Sequence, residues 1–184
     1  SDAWVKEAER RGLPNIKSMI EAVDTLTTEK SVKLFNKFGI FTKAELESRE
    51  EVLYETYAKT INIEALTMID MASKQIIPAV IKYTKSLADT VIAVKEAGAD
   101  ASVQADLLKQ VTEKLNGMKA ALAKLEEVTA KASSMNHAKE QAFYYKDVVK
   151  EAMEELRIPA DEAEMLVDKK VWPIPTYGDL IFEV

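Results

Sequence analysis

Cysteine is absent from this chain of 184 residues. Its absence excludes disulfides, thiolate catalysis and cysteine zinc sites, and suits a reducing cytoplasm. Histidine occurs once, at His137, so a histidine-rich metal site cannot be built, and the Glu-x-x-His spacing of carboxylate-bridged metal bundles is missing. Glycine is scarce at five residues, and no glycine-rich phosphate loop, nucleophile elbow or kinase signature appears. Apolar runs fall far below the roughly 20 residues that span a bilayer, and no charged-then-apolar leader opens the chain. Positive charge is not in excess: the formal net charge is −6 and no concentrated basic face accompanies it, which argues against a nucleic-acid partner. Strand-like alternation is rare, so the expected class is all-α.

What is present is apolar periodicity. At 47% hydrophobic residues the chain can bury a sizeable core. Its organising stretch runs from Thr42 to about Glu96, where two apolar rows recur at helical spacing: Ile61, Ala65, Met68, Ala72 and Ile76, then Ile69, Ile76, Val80, Tyr83, Leu87 and Val94. A helix apolar on two sides is packed on two sides, so this stretch is expected to be a central helix with others laid along it. Thr42 and Glu45 match a capping box at its start, and Glu45 with Arg49 and Glu55 with Lys59 match favourable i,i+4 pairs. Pro78 costs roughly 3 kcal/mol in a helix interior. It predicts one kinked helix, the alternative being two helices split there.

Ahead of this stretch, Asp2–Arg11, Ile16–Leu26 and Glu29–Phe38 read as short helices, with Val32, Leu34, Phe35, Phe38, Ile40 and Phe41 expected to cover one side of the central helix. Behind it, Gly98 marks a tight turn. Val103 to about Ala132 then carries a seam of Leu108, Val111, Leu115, Met118, Leu122, Leu125 and Val128, and Gly117 suggests a close helix crossing. A third long helix starts near His137, with Ala142, Tyr145, Val149, Ala152 and Leu156 on one face and a kink at Pro159. Short connections make neighbours antiparallel. The expected fold is therefore an antiparallel three-helix bundle of long, partly coiled-coil helices. It divides into a short-helix appendage over 1–41, a long-helix bundle over 42–170 and an extended apolar docking tail over 171–184.

No catalytic, cofactor-binding or metal-ligating residue can be named from the pattern. Carboxylates cluster at Glu45, Glu47, Glu50 and Glu51, at Glu151, Glu154 and Glu155, and at Asp161, Glu162 and Glu164, but each group lies amid polar helix surface with no partner of complementary role. His137 reads as a surface or capping residue. The tail is different in kind. Trp172, Pro173, Ile174, Tyr177, Leu180 and Phe182 are the candidate docking residues, because such an apolar, proline-stiffened segment needs a surface to cover it. A strap is expected rather than a further helix, with a turn at Tyr177-Gly178-Asp179.

Four stretches, DAWVKEAERRGLPN (2–15), KSVKLFNKFGIFTKAELESR (30–49), KTINIEALTMIDMASKQIIPAVIKY (59–83) and WPIPTYGDLIFEV (172–184), together resemble the C-terminal region of type III glutamine synthetase. The resemblance implies a parent enzyme that joins ammonia to glutamate with ATP and Mg or Mn, in a large oligomer. It implies that the metal, substrate and nucleotide residues sit in a catalytic domain upstream, so none is carried over here. The chain opens on Ser1-Asp2-Ala3-Trp4 inside a helical pattern, as expected of a piece of a longer chain. Its expected partners are that upstream domain and neighbouring subunits; the rival expectation is a free-standing helical adaptor that binds a partner in a groove.

Overall fold

The computed structural model describes residues 2–175 and 177–182, without the side chain of Tyr177. All regular structure in the described residues is helical. Two compact units divide the chain, Ser1–Thr60 with Met135–Lys146, and Ile61–Ser134 with Asp147–Val184.

The first unit holds α1 (Asp2–Arg10), α2 (Met19–Val23), α3 (Glu29–Lys37), the first part of α4 (Lys43–Met71) and α7 (Ala138–Tyr144). Its helix starts are set by side-chain caps. The Thr42 N–H donates to Glu45 Oε2 at 2.7 Å and the Glu45 N–H to Thr42 Oγ1 at 3.3 Å, which is the expected reciprocal box. Ser18 and Glu21 repeat the device in front of α2: the Glu21 N–H donates to Ser18 Oγ, and the Lys17 N–H to Glu21 Oε2. Arg49 does not pair closely with Glu45; it lies over the Phe41 ring, 4.4 Å from its centre. The apolar run ahead of α4 corrects a second expectation. Val32, Phe35 and Phe41 are half-buried, but Leu34, Phe38 and Ile40 are exposed, because positions 34 and 38 stand on the opposite side of α3 from position 32.

The second unit holds the rest of α4, a π turn over Ala72–Ile76, α5 (Ile77–Glu96), α6 (Ser102–Ser133), α8 (Lys150–Glu164), which follows a further π turn over Tyr145–Val149, and α9 (Tyr177–Phe182). Helix runs unbroken from Lys43 to Glu96, through Pro78. The π turn explains how: the Ile77 N–H donates to the carbonyl of Ala72, five residues back, and this wider turn gives the proline ring room where an α turn would press it on a carbonyl. Of the two rows expected, Ile61, Ala65, Ala72, Ile76, Val80 and Leu87 are buried, and so is Ile77 beside them, whereas Met68, Ile69, Tyr83 and Val94 are half-buried. Pro159 is likewise held inside α8.

The centre of this unit is α6, which packs against both α5 and α8. That corrects the expectation that the 42–96 helix would be central. Val111, Met118, Leu122, Leu125 and Ala132 of α6 are buried, as are Ala152, Leu156 and Ala163 of α8, and each buried Leu-sized side chain stabilises the fold by about 1.5–3 kcal/mol. Between α5 and α6, Gly98 takes φ +77°, the Ala99 N–H donates to the Val94 carbonyl, and Asp100 accepts from the Ser102 amide and hydroxyl. Gly117 of α6 faces Pro159, but a methyl group there would sit 3.6 Å from the proline Cβ, an ordinary contact.

Candidate docking site of the C-terminal segment

The tail is positioned by what ends α8. After Glu164 the Val167 N–H returns to the Ala163 carbonyl, and the next turn closes on Asp168, whose carbonyl accepts from Val171 and Trp172 and whose carboxylate accepts from the Lys170 N–H. Pro173 and Pro175 then deny helix to the residues around them. The final stretch nevertheless corrects the extended reading: Tyr177–Phe182 forms α9, with Asp179 in its first turn favoured by the helix dipole. Lys169 Nζ meets Asp179 Oδ1 at 2.5 Å and ties this helix to the turn after α8.

Trp172, Ile174, Pro175 and Leu180 line a cleft of about 300 Å³. Its remaining walls are Ile76 at the end of the first π turn and Ala160, Asp161 and Glu164 of α8. Of the sequence-derived docking residues, Trp172 and Ile174 are half-buried here, whereas Leu180 is 70% exposed although it borders the cleft. Pro173 and Phe182 do not line it, and Phe182 is 82% exposed. The side chain of Tyr177 lies outside the described residues, as do Thr176, Glu183 and Val184. Chemically the cleft offers apolar contact with a carboxylate rim. Asp161 is already engaged by Arg157 Nε at 3.1 Å, and among the described residues that line the cleft there is no pair of nucleophile and base.

The first unit contains a polar network that sequence reading missed. Asp24, at the end of α2, accepts from the Tyr54 hydroxyl at 3.1 Å and from Lys139 of α7. Glu50 accepts from Thr27 at 3.0 Å, and Lys146 pairs with Glu21 at 3.0 Å. Beneath them pack Ile20, Val23, Tyr54 and Ala142. The Lys139 ammonium, more than the tyrosine hydroxyl, holds the Asp24 carboxyl below its usual range, and Lys17 and Lys146 do the same for Glu21. Burial, then the bond to Asp24, pushes the Tyr54 phenol above its ordinary range. The partners stand 30 and 115 positions apart, so the only signal in the sequence was a Ser-x-x-Glu cap in front of Asp24.

The other carboxylates singled out above are structural or solvated. Glu45 caps α4, Glu47 pairs with Lys43, Glu155 with Lys124 and Glu162 with Lys114. His137 precedes α7 as its cap residue, without a side-chain capping bond. Among the described residues, no three His, Asp or Glu side chains are grouped to hold a metal ion, so these residues do not fit the divalent metal that the family resemblance implies for a parent enzyme. No described helix is long and apolar enough to cross a membrane.

Comparison with known proteins matches residues 1–95 to the family described as glutamine synthetase C-terminal domain. The chain is 40% identical over 186 residues to a glutamine synthetase of Butyrivibrio fibrisolvens, covering 100% of this chain and 27% of that protein. It is 32% identical over 188 residues to the type-3 glutamine synthetase of Dictyostelium discoideum, covering 99% and 26%. With a glutamine synthetase of Bacteroides fragilis (strain YCH46) it shares 30% identity over 188 residues, covering 99% and 26%. The chain thus spans about a quarter of the length of these relatives.

Proposed function

The chain belongs to the glutamine synthetase C-terminal domain family, and from that premise we propose that it is the non-catalytic helical part of a type III glutamine synthetase. In this reading the parent enzyme ligates ammonia to glutamate with ATP and Mg or Mn in the cytoplasm, and the chemistry resides in the part of the parent that precedes this chain. The helical part serves intrachain packing and subunit assembly. Its long helices, α5, α6 and α8 with their extensions, form an antiparallel bundle with coiled-coil character, to which the short helices of 1–41 and the tail of 171–184 are attachments.

One observation carries this reading: Leu180, Ile181 and Phe182 are 70%, 63% and 82% exposed at the end of a chain that aligns along its length with a quarter of much larger enzymes. Adjacent apolar side chains left in water mark a contact surface. The cleft at Trp172 anchors the segment, and its outward residues are free to meet the rest of the parent. A free-standing adaptor accounts less well for matches that extend over 99% to 100% of the chain.

The test removes Trp172 to Val184 from the parent enzyme. Size-exclusion chromatography is expected to show loosened assembly, and the thermal midpoint of the 184-residue chain is expected to fall by several degrees. An intact parent oligomer with an unchanged midpoint overturns the proposal, as does ATP-dependent glutamine formation by the 184-residue chain alone.

A further inference from the structure

The last turn of α8 sets acids where a helix favours cations. Asp161, Glu162 and Glu164 stand there and no basic residue does, at the end where the backbone dipole is negative. Two of the three are answered from elsewhere, Asp161 by Arg157 and Glu162 by Lys114. Glu164 is half-buried and has neither hydrogen bond nor ion pair among the described residues, and it lines the cleft of about 300 Å³ together with Trp172. A partly desolvated carboxylate at that helix end is unfavourable unless a cation comes to it. The tryptophan ring attracts the same kind of charge. Lys169, on the turn that follows, is engaged with Asp179, which does not line the cleft.

We propose that this cleft binds a small organic cation, a primary alkylammonium ion whose head meets Glu164 and Trp172 and whose carbon chain lies on Ile76, Ile174 and Leu180. The walls select this class. The carboxylate and the helix end repel an anion of the same length, and a neutral chain leaves Glu164 unanswered. A bare ammonium ion gains nothing from the apolar walls, whereas an alkyl chain seated there covers surface that includes Leu180, 70% exposed at the border. The volume stands at the lower end of ligand sites. A cleft this small, walled by α8, the first π turn and the tail of one chain, suits a free molecule; a lysine reaching in from the rest of a parent enzyme is an outcome that the test separates.

Tryptophan fluorescence of the 184-residue chain tests it, with Trp4→Phe in place so that Trp172 is the sole reporter. Hexylammonium is expected to change the emission saturably, hexanol to bind about tenfold more weakly, and hexanoate to give no saturable change. Shortening the amine is expected to weaken binding about fourfold for each methylene removed. E164Q is expected to weaken hexylammonium about tenfold and to leave hexanol as it was, whereas E162Q, at a side chain outside the cleft, changes neither. Circular dichroism checks the folding of each variant. The proposal is overturned by hexylammonium that gives no saturable change, by equal affinities for hexylammonium and hexanol, or by E164Q that binds the amine as the unsubstituted chain does. In the parent enzyme, saturation-transfer NMR on hexylammonium is expected to show the same loss with E164Q. A parent in which that substitution makes no difference fills the cleft from within, and this also overturns the assignment to a free amine. Assembly of the parent enters none of these readouts, so the function proposed above and this site fail separately.

Discussion

The two compact units are held together by different chemistry. In the first, short helices that bury few side chains of their own are pinned by polar ties: Asp24 to Tyr54 and Lys139, Glu21 to Lys146, Thr27 to Glu50. In the second, α6 buries a long apolar row against its neighbours, and the polar pairs Lys124 with Glu155 and Lys114 with Glu162 lie at the margins. The contrast follows from helix length. A five-residue helix such as α2 presents only Ile20 and Val23 to the core, so a specific orientation has to come from directional bonds, whereas a 32-residue helix such as α6 fixes its orientation by many non-directional contacts. Polar ties give geometry at modest net stability; apolar rows give stability that scales with area.

The sharpest way to break this contrast is in the second unit. Leu122→Ala removes a side chain that is 1% exposed and is expected to cost about 2–5 kcal/mol, read as a shift in the urea midpoint. A loss below about 1 kcal/mol would mean that α6 is not the centre of its unit.

In the first unit the corresponding change is Tyr54→Phe, which keeps the ring and removes the bond to Asp24. It is expected to cost about 0.5–1.5 kcal/mol, smaller than the cavity in α6 despite equal burial. Acid tests the same network. Asp24 and Glu21 are held below the ordinary carboxylate range by Lys139 and by Lys17 with Lys146. The stabilisation they contribute is therefore complete above about pH 5 and lost as the pH falls through their lowered values. Hydrogen exchange below that pH is expected to lose protection over 19–26 and 138–146 before 111–132. The second unit has a shift of opposite sense: Glu155 holds the Lys124 ammonium above its usual range, so that pair contributes fully below about pH 10.5 and fades as the pH rises through the raised value.

The smallest expected effect is a gain. Gly117→Ala places a methyl at ordinary contact distance from Pro159 and is expected to stabilise the second unit by about 0.5–1 kcal/mol through helix propensity. A destabilised variant would show that α6 and α8 have no room for it.

The long helices were legible because apolar periodicity over many turns leaves little choice. Of the expected seam, Val111, Met118, Leu122 and Leu125 are buried and Leu108, Leu115 and Val128 half-buried, while the row Ala142, Tyr145, Val149, Ala152 and Leu156 is buried throughout. The Thr42 and Glu45 cap was legible for the same reason of locality. What escaped was non-local or short. The bond from Lys139 to Asp24 joins distant positions, and α9 is too brief for a periodicity to register against two prolines. Which helix would be central also escaped, since periodicity reports how many sides are apolar and not which neighbours arrive there. For the docking residues, the sequence singled out a sticky segment, but only coordinates separate Trp172 and Ile174 in the cleft from the outward Phe182.

The π turn at Ala72–Ile76 makes the long helix unequally sensitive to changes in chain length. A helix advances about 100° per residue, so losing one residue from the ordinary turns between Ile61 and Met71 would swing the apolar row upstream out of line with that downstream. Within the π turn the same loss would have another outcome: omitting Gln75, which is exposed, would leave an ordinary α turn and keep Ile61 and Ala65 aligned with Val80 and Leu87. The turn is thus a place where the helix carries one residue of slack, tolerant of a deletion that its neighbours would not survive.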